Sequence, residues 1–163
     1  MITIQKTTSD HTDFQKLIAI FDEYLIDIDG EERDFFAFHN NKYLEHALIC
    51  YENEEAIGCG GFKEFDAETA EIKRMFVHPD HRKKGIASLI LTELENWAKE
   101  CGYTNYILET SPKLENAISM YKKMGYQIIP NFGQYVGVEN SICMKKELYS
   151  KLLEPILKNQ KSL

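Results

Sequence analysis

The run Arg82-Lys83-Lys84-Gly85-Ile86-Ala87 has the composition of an anion site. It follows the stretch Glu71-Ile72-Lys73-Arg74-Met75-Phe76-Val77, which reads as a strand, and it opens a segment of helical periodicity. The first N–H groups of a helix lack intrahelical partners, and the macrodipole adds roughly half a positive charge there. Gly85 has no Cβ, so a phosphate can approach the backbone, and the small Ala87 leaves further room. Arg82, Lys83 and Lys84 add mobile cations at the same point. A polyanionic ligand at the end of a strand is the chemistry this implies. On its own the run fits a solvated basic loop equally well, and G-x-x-x-x-G-K-[ST] is absent from the sequence. Its surroundings have to decide.

Those surroundings are mixed α/β. Ile86, Leu89, Ile90, Leu94, Trp97, Ala98 and Cys101 recur at helical spacing, with Gly102 as a natural C-cap. Upstream, Ile2–Lys6 reads as a short strand, followed by a helix capped by Ser9 or Asp10 with the stripe Phe14, Leu17, Ile18, Phe21 and Leu25. A short second helix is expected near Glu32 to Asn40. Ala47–Tyr51 and Ala56–Phe65 flank the polar turn Glu52-Asn53-Glu54-Glu55 as a hairpin, and Thr69–Val77 continues the antiparallel run. A crossover through the helix then makes the strand at Asn105–Thr110 parallel to its neighbour. A helix at Glu115–Met124 and strands near Gln127–Ile129 and Ser141–Lys146 complete the pattern. Residues 1–147 form one domain, and 148–163 a tail whose Leu148, Leu152, Leu153, Ile156 and Leu157 suit an amphipathic helix. That helix either covers the sheet or mediates a homodimer.

Composition narrows the function classes. A net charge of −7 over 163 residues disfavours nonspecific nucleic-acid binding, and no apolar run reaches membrane-spanning length. Cys50, Cys59, Cys101 and Cys143 lack C-x-x-C spacing and read as buried thiols of a reducing compartment. The histidines form no ligand pattern with them, so no metal is expected, and His78 and His81 read as solvated residues beside a turn. Met1-Ile2-Thr3-Ile4 carries no signal-peptide pattern. A soluble cytoplasmic domain is the expectation.

Three motifs in order then point to one family. Arg82-x-x-Gly85-x-Ala87 resembles the Q/R-x-x-G-x-G/A signature of GNAT-type N-acetyltransferases. Tyr106-Ile107-Leu108-Glu109-Thr110 resembles that family's next strand, and Ala117-Ile118-Ser119-Met120-Tyr121-Lys122-Lys123-Met124-Gly125-Tyr126 its A-x-x-x-Y-x-x-x-G-F/Y helix. The likeness runs from about Ala47 to Lys146, and the last segment, through Glu139-Asn140-Ser141, resembles an uncharacterised bacterial branch. It implies a mostly antiparallel central sheet, with a parallel pair splayed around the cofactor and helices on both faces. It implies acetyl-CoA as co-substrate, with the pyrophosphate held by Arg82, Lys83, Lys84, Gly85, Ile86, Ala87 and Ser88. Met75, Phe76 and Val77 supply main-chain groups to the pantetheine arm.

The resemblance also assigns catalytic roles. Tyr121, the tyrosine of the helix motif, is the expected acid for the leaving thiolate. Glu71, fourteen residues before Gly85, and Glu109, twelve before Tyr121, match the base positions of two different groups of relatives. Either carboxylate, or ordered water alone, serves as base at this stage. A base is needed because an alkyl amine is protonated at neutral pH, and freeing its lone pair costs roughly 4 kcal/mol for about three pKa units. The family often has an Asn seven residues before the tyrosine; here that position is Leu114, and Asn116 lies five before it.

For the acceptor, the acidic Glu23, Asp27, Asp29, Glu31, Glu32 and Asp34 suit a cationic amine, unless they are only a solvated loop. Asn131, Phe132, Tyr135, Glu139 and Asn140 belong to the other segment that shapes the acceptor site, with Phe132 and Tyr135 as pocket walls. A small-molecule acetyltransferase is the leading reading. A protein lysine or N-terminal acetyltransferase and a non-catalytic acyl-CoA sensor are the alternatives.

Overall fold

The computed structural model describes residues 1–29 and 42–148, so the helix expected near 32–40 and the tail at 149–163 lie outside the described residues. Within them the chain runs β1 (Ile2–Thr7), α1 (Thr12–Asp29), β2 (His46–Glu52), β3 (Glu55–Asp66), β4 (Thr69–Val77), α2 (Ile86–Glu100), β5 (Asn105–Thr110), α3 (Glu115–Lys123), β6 (Gln127–Ile129) and β7 (Ile142–Glu147). The described strands form one sheet of seven in the order β1-β2-β3-β4-β5-β7-β6. All neighbours are antiparallel except β4 and β5, the pair bridged by α2. The expected parallel crossover is therefore present, and β7 inserts between β5 and β6.

Helices cover both faces, which is why the central strands are apolar on both sides. Along β2, Ala47 and Ile49 pack with Phe14, Leu17 and Ile18 of α1. Leu48 and Cys50 face the opposite core, with Ile90, Leu91 and Leu94 of α2 and Tyr121 of α3. A buried polar knot fastens that second layer. Glu95 of α2 accepts hydrogen bonds from the Tyr126 hydroxyl (2.8 Å) and the Lys146 ammonium (2.7 Å), and its carbonyl accepts one from Tyr106 (3.0 Å).

Several local expectations are corrected. Neither Ser9 nor Asp10 caps α1: the Asp13 N–H donates to His11 Nδ1 at 3.1 Å. Ser9 is buried and clamps the chain on the far side of α1, its Oγ accepting from the Leu44 N–H at 2.7 Å. Cys50, Cys59 and Cys143 are buried thiols as expected, and burial pushes Cys59 up to about 12, but Cys101 at the end of α2 is exposed. No helix among the described residues is long and apolar enough to cross a membrane.

Two irregularities open the sheet at its centre. Cys59 pairs with Phe76 and Gly61 with Lys73, leaving Arg74 and Met75 together opposite Gly60. This is a β-bulge, with Arg74 at φ 60°. Beyond it, β4 and β5 pair only as far as Glu71↔Ile107, and the two strands then part. Gly61, beside the bulge, is fixed by close approach: a Cβ there would lie 2.8 Å from the His46 carbonyl oxygen of β2. Gly61→Ala must push β2 backbone aside and is expected to destabilise the fold by about 1–3 kcal/mol. Thermal unfolding checks this; an unchanged midpoint contradicts it.

Candidate active site

The parting of β4 and β5 opens into a cleft of about 780 Å³. At one end lies the turn that enters α2. Gly85 is the N-cap residue, at φ 78°, and no side chain caps the helix. The first hydrogen bond closed there is Leu89 N–H to the Gly85 carbonyl, at 3.1 Å. The N–H groups of Ile86, Ala87 and Ser88 thus remain for an outside acceptor. A Cβ on Gly85 would meet no protein atom within 4 Å, so the position is open to a ligand. Lys83 also has positive φ (66°), which curls the backbone into a concave turn of the kind that cradles anions.

The cations take distinct positions. The Arg82 guanidinium lies 4.8 Å over the Tyr24 ring of α1, and its Nε donates to the Val77 carbonyl at 3.0 Å, so it is held at the rim of the cleft. Lys83 lines the cleft. The Lys84 ammonium turns to Glu52, at 3.6 Å, leaving its main chain in the turn. Glu52 also takes His81 Nδ1 at 3.0 Å, and these two partners hold its carboxyl below the usual range. His81 is consequently half-buried, not solvated as its sequence position suggested.

At the other end β4, β5, α3 and the 130–140 loop converge. Glu71 and Lys73 share a face of β4, both buried, with Oε2 and Nζ 3.3 Å apart. Lys63 of β3 approaches the other Glu71 oxygen at 3.9 Å. Glu109 of β5, Tyr121 of α3 and Tyr135 of the loop line the same cleft. Burial, reinforced by the Glu109 charge, raises the Tyr121 phenol well above its ordinary value, so it carries its proton at neutral pH. The same causes, with Glu71 added, raise Tyr135. Among the described residues the Tyr121 hydroxyl has no hydrogen-bond partner, and its ring packs edge-on against Tyr126 at 5.8 Å. Glu109 caps no helix: α3 begins after Leu114 without a side-chain cap.

The expected catalytic and cofactor-binding residues other than Lys84 line this one cleft, with Met75, Phe76 and Val77 along its length, whereas Phe132, expected as a pocket wall, does not line it. Leu114 and Asn116 line it as well, so an amide from the first turn of α3 is present although its spacing from Tyr121 differs. The wall that α1 supplies is not made of its acidic residues: Phe21, Tyr24 and Leu25 line the cleft, where the stripe suggested only core. Lys73, which the sequence groups with the cations of the phosphate turn, is instead buried beside Glu71. The acidic residues fare differently. Glu23 and Asp27 are exposed and absent from the lining, and Glu31, Glu32 and Asp34 lie outside the described residues. In the 130–140 loop, Tyr135 is a wall, whereas Asn131 is a pin whose Nδ2 lies 3.0–3.1 Å from the carbonyls of Tyr135, Val138 and Ser141.

A sheet split beside an uncapped helix N-terminus leaves an open cleft with unpaired N–H groups at one end. Residues 13–126 match the acetyltransferase (GNAT) family, and the chain belongs to it. By that membership it is an acyltransferase. It is 35% identical over 100 residues to the uncharacterized N-acetyltransferase YsnE of Bacillus subtilis, a match covering 60% of this chain and 66% of that protein's length. A Klebsiella pneumoniae structure described as an acyl-CoA N-acyltransferase superposes with a TM-score of 0.78 at 27% identity, covering 91% of this chain and 99% of that one. A GNAT family acetyltransferase from Elizabethkingia anophelis, solved with acetyl-CoA bound, gives a TM-score of 0.66 at 21% identity over 90% of this chain and 98% of that one.

Proposed function

We propose that this protein transfers the acetyl group of acetyl-CoA to the primary amine of a small molecule by direct attack, with no acyl-enzyme stage. The observation that carries this is the continuity of the cleft from the uncapped N–H groups of α2 to Glu71, Glu109 and Tyr121. Acetyl-CoA fits the chain's own groups: the open Gly85 turn suits its pyrophosphate, and the bulged edge of β4 suits its amide-bearing arm. When bound, it supplies the activated acetyl carbonyl. The aromatic and aliphatic wall of Phe21 and Leu25 favours a small acceptor over an extended peptide.

The proton steps fall to three side chains. Glu109 accepts a proton from the acceptor ammonium, exposing the lone pair that attacks the carbonyl carbon. The carbon–sulfur bond breaks as the carbon–nitrogen bond forms, and Tyr121 gives its phenolic proton to the leaving sulfur. The nitrogen's second proton then restores the phenol, directly or through water. Glu109 and Tyr121 are coupled, because the Glu109 charge is one cause of the raised phenol. When Glu109 takes the amine's proton, that contribution is lifted, while burial, the larger cause, remains. Glu71, held between Lys63 and Lys73, is the organiser of that cluster and not the base.

Glu109→Gln is expected to lower kcat by roughly a hundredfold at neutral pH, within the usual range for a lost general base. The deficit should shrink as pH rises toward the amine pKa, because solvent then supplies the free base. A Glu71→Gln variant with the larger loss and the same pH recovery would instead make Glu71 the base. The function itself is tested by free-thiol release from acetyl-CoA across amines, amino acids, aminoglycosides and lysine peptides. Turnover with a small amine supports the reading, and turnover with peptides alone moves the assignment to protein acetylation.

A further inference from the structure

Lys73 is 7% exposed and lines the acceptor end of the cleft, and its Nζ has no hydrogen-bond partner among the described residues. Glu71, at 3.3 Å, answers its charge without an aligned hydrogen bond. An ammonium has three N–H donors, and burying such a group unsatisfied is unfavourable. Burial accordingly pulls the Lys73 pKa down, while Glu71 works against that pull. A buried, unsatisfied donor facing a ligand cavity is a place where the ligand completes the hydrogen bonding.

The charge count says what kind of ligand. Lys63 and Lys73 flank the carboxylate of Glu71, and the Glu109 charge also acts on Lys73, so two ammonium groups face two carboxylates. The neighbouring cation is already engaged: Arg74 pairs with Asp22 at 3.1 Å and lies 5.7 Å over the Phe21 ring. Two ammonium groups beside two carboxylates suit a ligand that carries one charge of each sign, an ammonium for Glu109 and a carboxylate for Lys73, and disfavour a doubly charged anion. Glu23 and Asp27 of α1 do not line the cleft and offer a cationic acceptor no partner there.

We infer that the acceptor carries a carboxylate beside its amine, an amino-acid-like molecule whose carboxylate is received by the Lys73 ammonium while its amine faces Glu109. This deepens the acetyl-transfer reading and rests on it. The product is then an N-acetylated amino acid that keeps its free carboxylate, and only the amine nitrogen changes its bonds.

The test is calorimetric titration of the CoA-saturated protein with N-acetyl amino acids and, in parallel, with their carboxamides, which lack only the charge. For the matching side chain the acid is expected to bind roughly tenfold to a hundredfold more tightly than the amide, the range for a charge-assisted hydrogen bond. The gap should vanish in Lys73→Met and return in Lys73→Arg, with acetyl-CoA affinity equal in all three proteins. Equal affinity for acid and amide in the wild type, a gap that survives Lys73→Met, or binding of neither ligand overturns the inference. If Lys73→Met does not fold, the wild-type comparison of acid and amide decides alone. A lysine that merely holds Glu71 in place would change kcat for every acceptor and leave the acid-to-amide ratio alone. Failure of acetyl-CoA to bind the wild type contradicts the acetyl-transfer reading itself and is a separate outcome.

Discussion

Tyr121→Phe is expected to bind acetyl-CoA as the wild type does and to turn it over about a hundredfold more slowly. The fold should tolerate the change, because the hydroxyl has no hydrogen-bond partner to leave stranded among the described residues and the ring keeps its packing against Tyr126. Turnover should not tolerate it. The breaking carbon–sulfur bond places negative charge on sulfur at the buried end of the cleft, where water is a poor donor. A thiol with an ordinary pKa near 8.5 is not the worst of leaving groups, which keeps the loss toward the low end of the usual range for a general acid. Steady-state kinetics with a good acceptor, beside a calorimetric Kd for acetyl-CoA, separates the two effects. Unchanged turnover removes Tyr121 from the acid role.

Gly85→Glu should leave a folded protein that no longer holds CoA. The backbone at φ 78° is uncomfortable for a residue with a Cβ, by about 1–2 kcal/mol. No protein atom lies within 4 Å of that Cβ position, so the strain is the main structural cost, and a carboxylate at a helix N-terminus returns part of it. The ligand is treated differently. The new side chain stands where the phosphates must lie, and its charge both repels them and takes the N–H groups of α2 for itself. A rise of a hundredfold or more in Kd is expected, about 3 kcal/mol or more at 1.4 kcal/mol per decade. Gly85→Ala, which adds strain without charge, should fall between. A calorimetric Kd for Gly85→Glu equal to that of the wild type would sink the phosphate-site assignment.

The parts of the site most legible in the sequence were those whose signals are local. The run from Thr69 through Gly85 into α2 needs only a strand, an uncapped turn and an amphipathic stripe, and its boundaries agree with the expected ones. The strands Asn105–Thr110 and Gln127–Ile129 likewise fall where periodicity put them. Features that depend on a distant partner stayed hidden. The bulge at Arg74 and Met75 exists because β3 supplies one residue opposite two, and nothing in Arg74-Met75 announces that. The place of β7 between β5 and β6 is a matter of sheet order, to which adjacent turns are blind. Phe21 and Leu25 looked like core because an apolar stripe is the same pattern whether it meets a sheet or a ligand. Lys73 reads in the sequence as one more cation of the basic group around Arg82 to Lys84, because nothing local shows that it is buried beside Glu71. Ser9 has the chemistry of a helix cap, but its bond to Leu44 spans 35 positions and could not be read locally.

A crystal structure of the protein with acetyl-CoA tests the central claim most directly. The pyrophosphate is predicted within hydrogen-bond distance of the N–H groups that enter α2, between Gly85 and Ser88. The pantetheine arm should run along Met75 to Val77, and the thioester should sit in the gap between β4 and β5, beside Tyr121 and Glu109. A pyrophosphate bound away from that turn, or a thioester out of reach of both side chains, would contradict the account.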